Sequence, residues 1–257
     1  MAEPKVLFWD IETAPIIAHV WGTWDQNVGL NQIMSDWHLL SWAAKWQGDP
    51  KVMYMDQRDQ KNLADDKKIL KGLWDLLDEA DIVVTQNGKA FDQKKVNARF
   101  ILHGMQPPSS FKHIDTLLLA KKHFAFTSNK LEYLADRLNT KYKKLKDHKF
   151  PGHEMWVECL KGNVEAFKEM ERYNRQDVLA LEELYNKLIP WSSTQPFAVF
   201  GKACSCDAPN VIKKGWFHSD MGKFQRYKCT NCGAPSRDGK NVLTKEEKAA
   251  VRRGVSR

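Results

Sequence analysis

The chain of 257 residues is 42% hydrophobic and 28% charged, enough to bury one good-sized core and a small second unit. The apolar run Val6-Leu7-Phe8-Trp9 is too short for a signal peptide and far too short to span a membrane, so membrane-embedded functions are excluded and a cytoplasmic location is expected. The net charge of +8 is uneven: residues 1–199 hold 27 basic and 27 acidic side chains, whereas residues 200–257 hold 13 and 5, which marks the C-terminal segment as polyanion-seeking.

In chain order, Lys5–Ile11, with the apolar run Val6–Trp9 at its centre, predicts a central strand covered on both faces. Trp21, Trp24 and Trp37 follow in irregular sequence and are read as loop packing, with stacking on unpaired bases as their other use. Strands are predicted at Leu39–Gln47 and Val52–Met55, joined by the turn Gly48-Asp49-Pro50. A helix is predicted over Gln60–Glu79 with the stripe Ile69, Leu70, Leu73, Leu76 and Leu77, then a strand over Asp81–Thr85. Asp92–Leu102 reads as a helix with Val96, Phe100 and Ile101 as inward positions and Gly104 just past its end. Phe111–Ile114 is a fifth strand, and Asp115 or Thr116 can cap a helix over Leu117–Phe124. Further helices fit Leu131–Leu138 and, after a Lys-rich loop over Tyr142–Gly152, Val164–Leu188, stopping before Pro190. Together these make an α/β fold, a mixed five-stranded sheet flanked by helices, over residues 1–190. Pro190–Pro196 begins a linker placed at 191–200, and residues 201–257 form a second, small unit.

Three acidic positions carry candidate chemistry. Asp10 and Glu12 end the first strand, and strand alternation projects both carboxylates from one face, where they can share a metal. Charge after so apolar a strand is costly unless it is paired or bound to a cation. Asp92, in Asn87-Gly88-Lys89-Ala90-Phe91-Asp92, sits where the fourth strand turns into a helix and can also serve as a cap. In Tyr173-Asn174-Arg175-Gln176-Asp177 the i, i+4 spacing stacks the Tyr173 hydroxyl and the Asp177 carboxylate on one helix face.

Residues 5–190 thereby resemble the DEDD exonucleases, the DnaQ-like 3′–5′ exonucleases with an RNase H-like fold: Asp10-Ile11-Glu12-Thr13, Asn87 to Asp92, and Tyr173 with Asp177 stand at the three motif positions. Arg172 occupies the place where a histidine variant would have His, so the tyrosine variant is indicated. The resemblance implies two Mg²⁺ or Mn²⁺ ions, with Asp10 bridging them, Glu12 and Asp177 completing one, and Asp92 holding the other. It also implies that Tyr173 orients the attacking water and that backbone near Glu12 and Thr13 contacts a terminal 3′-hydroxyl. Asp115, in Ile114-Asp115-Thr116-Leu117, also matches the family's strand-to-helix step and is given no catalytic role. Thr13, Asn87 and Lys89 are candidate substrate contacts, and Lys143, Lys144 and Lys146 candidate phosphate contacts. DNA is the expected substrate. A ribonuclease of the same fold, a nuclease cutting internal bonds and a non-catalytic nucleic-acid-binding module are the alternatives, and no partner protein is inferred.

Five cysteines occur. Cys159 reads as a small buried apolar residue. Cys204-Ser205-Cys206 and Cys229-Thr230-Asn231-Cys232 resemble a zinc ribbon holding a structural Zn²⁺ on four thiolates, with His218 as a possible substitute ligand because the first pair lacks the usual two-residue gap. Between the pairs, Trp216, Phe217, Phe224 and Tyr227 alternate with Lys223, Arg226 and Lys228, as in short strands with a basic face that holds nucleic acid; a purely structural ribbon is the other reading.

Overall fold

The computed structural model of the chain describes residues 4–143, 145, 149–192, 204, 206 and 210–252, which form two compact units, Pro4–Tyr185 and a second beginning at Asn186. In the first unit, strand β1 (Val6–Thr13) is followed by a short antiparallel pair, β2 (Ile17–Ala18) with β3 (Ile33–Ser35), and then by β4 (Leu39–Trp46), β5 (Met53–Asp56), α1 (Lys67–Glu79), β6 (Ile82–Thr85), α2 (Asp92–Leu102), β7 (Lys112–Asp115), α3 (Thr116–His123), α4 (Leu131–Leu138), α5 (Glu154–Leu160) and α6 (Val164–Leu188). The sheet order is β5-β4-β1-β6-β7. β4 is antiparallel to β1 and β5, while β6 is parallel to β1 and β7. This is the mixed five-stranded sheet that the sequence implies.

β1 is the central strand, and its first four residues are buried because both faces are covered. Trp9, Trp42, Leu73 and Val83 belong to one cluster, closed by the stripe of α1. A second cluster joins Leu40 to Met155 and Cys159 of α5 and to Phe167 and Met170 of α6. Cys159 is buried there, as its composition implies. Among the described residues no helix is long and apolar enough to cross a membrane.

Several local expectations are corrected. α1 starts at Lys67 rather than Gln60, because the buried Asp66 carboxylate is committed elsewhere: it accepts from Leu39 N at 2.8 Å and pairs with Arg99 and His103 at 2.7 Å. The chain before it is thereby tied to β4 and α2 instead of continuing as helix. Ile101 is 76% exposed, since the inward stripe of α2 is carried by Val96 and Phe100 alone. Trp21 and Trp24 are not packed but almost wholly exposed, at 99% and 88%. The β2–β3 pair and α5 are additional elements that short segments without clear periodicity do not announce. Of the two capping candidates, Asp115 is the N-cap of α3, accepting from Leu117 N at 3.0 Å. Pro190 lies in a 3-10 turn over Ile189–Trp191, and residues 193–200 of the expected linker lie outside the described residues.

The second unit contains β8 (Val211–Ser219), β9 (Gly222–Cys229) and β10 (Pro235–Arg237) in the antiparallel order β10-β9-β8, and a short α7 (Lys245–Ala250). Thr244 and Glu247 cap α7 reciprocally.

Candidate active site

The candidate acidic residues stand on β1, at the N-terminus of α2 and in the middle of α6. Asp10 and Glu12 both stand on β1, opposite Ala43 and Ser41 of β4. The β1–β4 pairing slips by one residue after Glu12, where Thr13 faces Leu39, so the ladder is broken where the acidic pair ends.

Asp92 is the first residue of α2 and is 3% exposed. Its Oδ1 accepts from Ile11 N at 3.2 Å, which fixes it against the backbone between Asp10 and Glu12. The turn before it is held by Asp115. That carboxylate accepts from Asn87 N at 2.9 Å and Lys89 N at 3.1 Å while also capping α3. Asn87 has a φ of 64°, a left-handed conformation that asparagine tolerates. Gly88 lies so close to Thr85 that a Cβ there would stand 2.2 Å from Oγ1. A side chain at 88 would therefore push the turn, and with it Asp92, away from β1.

α6 presents Tyr173, Asn174 and, one turn beyond Tyr173, Asp177, which is 5% exposed. Asn174, fully buried, donates from Nδ2 to Asp10 Oδ2 at 2.7 Å, and its Oδ1 accepts from Ser41 Oγ at 3.3 Å. On the other side, Trp156 of α5 donates from Nε1 to Glu12 Oε2 at 2.9 Å and meets Tyr173 edge-on, with ring centroids 6.2 Å apart. Neutral donors thus orient the two β1 carboxylates: an amide on Asp10 and an indole on Glu12. Neither Asn174 nor Trp156 is among the sequence candidates. Asn174 lies inside the quoted Tyr173–Asp177 segment, and Trp156 belongs to a seven-residue helix whose clearest sequence signal is the apolar pair Met155 and Cys159.

Of the candidate substrate contacts, Thr13 lines an open groove of about 520 Å³ together with Ala14, Trp37, Lys95, His153 and Trp156. Lys95 Nζ lies 3.7 Å from the centre of the Trp37 ring, a cation–π contact on the groove wall. Asn87 and Lys89 are exposed, and their defined role is through backbone N–H groups on Asp115. Lys143 is exposed beside Asp136, and Lys144 and Lys146 lie outside the described residues.

Burial pushes Asp92 up to about 7, its hydrogen bonds oppose this, and the charge of Asp115 adds to the rise. Its folded pKa lies above that of a carboxyl in the unfolded chain. The fold therefore carries Asp92 without penalty at acid pH and loses stability as pH rises from the ordinary carboxyl range to about 7, levelling off above it. In magnesium-free buffer, Asp92→Asn is expected to remove most of the fall in melting temperature between about pH 5 and about pH 8. Magnesium is expected to raise the wild-type melting temperature more at the upper pH. Parallel melting curves for the two proteins across that range would show that Asp92 is not the group responsible.

In the second unit the four sulfurs of Cys204, Cys206, Cys229 and Cys232 lie within 4.8 Å of one another, with 3.4 Å between Cys204 and Cys232 and 3.6 Å between Cys206 and Cys229. A tetrahedral zinc with Zn–S bonds of about 2.3 Å requires sulfurs roughly 3.8 Å apart, so this group could hold Zn²⁺ with little adjustment. Burial pushes the Cys232 thiol up to about 12 and Cys204 in the same direction, a cost that a bound cation reverses by stabilising the thiolates. His218, the proposed substitute ligand, is not in the group. It is exposed and pairs with Lys223 at the far end of the hairpin, so the one-residue gap of Cys204–Cys206 needs no replacement.

The family model described as the RNase_H superfamily matches residues 29–189. Among solved structures the chain is similar to the family B DNA polymerase from the hyperthermophilic archaeon Pyrobaculum calidifontis, with a TM-score of 0.53 and 18% identity. That match covers 74% of this chain and spans 25% of the polymerase chain. No curated protein matches the sequence.

Proposed function

The chain belongs to the RNase H superfamily, and on that premise we propose that it is a metal-dependent 3′–5′ exonuclease acting on DNA, with a C-terminal zinc ribbon that helps hold the strand. The observation that carries this reading is the joining of three distant motifs through two hydrogen bonds, Ile11 N to Asp92 and Asn174 to Asp10, which bring β1, α2 and α6 to one place. Residues 1–190 are the catalytic part, 191–200 the connection and 201–257 the ribbon.

Asp10, Glu12, Asp92 and Asp177 would hold the ions in this reading, and their oxygen-only chemistry suits Mg²⁺ or Mn²⁺ rather than zinc. Two such ions, when bound, supply a nucleophile at neutral pH and neutralise charge developing on the leaving oxygen. The chain's own residues supply the orientation. Asn174 holds the Asp10 carboxylate and Trp156 holds that of Glu12, so each would present its remaining oxygen lone pairs to a cation in a fixed orientation. The Tyr173 ring rests edge-on against Trp156, whose indole donates to Glu12, and in this reading its hydroxyl orients the attacking water. A phenol is protonated at neutral pH, so Tyr173 positions that water and does not deprotonate it. Thr13 lies at the break in the β1–β4 ladder and on the groove wall, which supports its assignment in this reading as the contact to the terminal 3′-hydroxyl.

Labelled DNA and RNA strands with free and blocked 3′ ends, incubated with Mg²⁺ or Mn²⁺, test the reading. Shortening of DNA from free 3′ ends alone is expected. Cleavage that ignores the blocked end would make it an internal nuclease, and preference for RNA would make it an exoribonuclease. Tyr173→Phe is expected to slow single-turnover hydrolysis roughly tenfold to a thousandfold while leaving the ions in place. An unchanged single-turnover rate would remove Tyr173 from the mechanism.

A further inference from the structure

Side chains alternate between the two faces of paired strands, so the register of the C-terminal sheet sorts its residues. Phe217 faces Phe224 across β8 and β9, Arg226 faces Arg237 across β9 and β10, and Lys228 faces Ile212. These six occupy one face, and none of them is acidic. The opposite face carries Trp216, Lys223 and Tyr227, whose hydroxyl donates to Asp238 at 3.0 Å.

On the first face the two phenyl rings lie 6.3 Å apart, and the Arg237 guanidinium covers both, at 4.2 Å from Phe224 and 5.1 Å from Phe217. Phe217 is 41% exposed and Ile212 44%. Among the described residues none of Arg226, Lys228 and Arg237 has a carboxylate partner. The exposed rings leave apolar surface in water and the three cations on one small sheet repel one another, whereas a flexible polyanion with flat apolar rings relieves both.

We propose that this face is a platform for single-stranded nucleic acid, on which unpaired bases stack against the Phe217, Phe224 and Arg237 group while phosphates pair with Arg226 and Lys228. Only unpaired bases offer their π-faces, so the platform distinguishes single strands from duplexes. The choice of polyanion rests on reading the chain as a nuclease, but the test needs no hydrolysis.

Binding of the full zinc-loaded chain is measured in Ca²⁺ with 3′-blocked oligothymidine and oligouridine of about 20 nucleotides, and with an abasic strand of equal length and charge. The wild type is expected to bind the base-bearing strands about tenfold or more tighter than the abasic one. Phe217→Ala is expected to abolish that difference, whereas Trp216→Ala on the opposite face preserves it. Replacing Arg226 and Lys228 by glutamine is expected to lower the salt slope by about 1.4 for single strands. Zinc content and far-UV circular dichroism confirm that each variant is folded. Equal affinity for abasic and base-bearing strands, loss with Trp216→Ala instead of Phe217→Ala, or Phe217-dependent binding to anionic lipid vesicles in place of oligonucleotide would each overturn the proposal. Hydrolysis that persists in the same variants would leave the nuclease reading standing.

Discussion

Replacing Asp10 with alanine is expected to abolish hydrolysis, by at least about a thousandfold, while the first unit stays folded. Two effects on stability oppose each other in this variant. Removing one carboxylate relieves repulsion within the acidic group. It also leaves the buried Asn174 amide without the acceptor it now has at 2.7 Å, and a buried donor without a partner costs about 1–3 kcal/mol. Asp10→Asn separates the chemistry from the packing, because the asparagine carbonyl can still accept from Asn174 but is a poor replacement for an anionic metal ligand. Both variants should be inactive in a single-turnover assay, and the asparagine variant should melt at or above the wild-type temperature. If Asp10→Asn degraded a labelled 3′ end at nearly the wild-type rate, the acidic site would not be the seat of the reaction.

The parts of this site that can be read from the chain are those where local pattern and global position agree. β1 is apolar until it abruptly becomes acidic because a central strand is dry along most of its length and opens at one end. Asp92 and Asp177 are visible for a similar reason, each lying beside a strong apolar period, that of β6 in one case and of α6 in the other. What the pattern does not carry is any polar residue whose partner is remote in sequence. Asn174 looks like one more polar position in a helix, and only the fold sets it between Ser41 and Asp10. Trp156 lies on a helix too short to show a period, yet its indole reaches Glu12 across 144 positions of sequence. Asp66 moves the start of α1 for the same reason: Leu39 and Arg99 take its carboxylate, and the polar, helix-compatible stretch before it cannot signal that. The exposed Trp21 and Trp24 escape for a different reason, since hydrophobicity alone counts a tryptophan as core wherever it occurs.

Removing zinc is expected to have the largest structural effect, and to confine it to the second unit. The hydrophobic cluster of that unit consists of Cys204, Cys229 and Ala234, with Cys206, Val211 and Cys232 packed partly against it. Four of these six residues are the candidate ligands themselves, so the metal and the core are one object. A sheet this small buries too little apolar surface to offset the ordering of its chain. Zinc on four thiolates supplies about 10–16 kcal/mol near neutral pH, enough to decide whether the unit folds. A strong zinc chelator should therefore collapse the amide dispersion of Val211–Arg237 in a two-dimensional NMR spectrum. Resonances from Pro4–Tyr185, with its own clusters around β1 and α6, should stay in place. Restoring one equivalent of zinc should bring the lost signals back, and Cys232→Ser should mimic the chelated protein even in excess zinc. Magnesium-dependent hydrolysis at saturating substrate should survive the treatment, because none of its carboxylates lies in this unit. Retention of the β8–β10 signals after the metal has left would mean that the sheet has a source of stability other than its cysteines. Loss of hydrolysis alongside those signals would mean that the ribbon helps build the catalytic site.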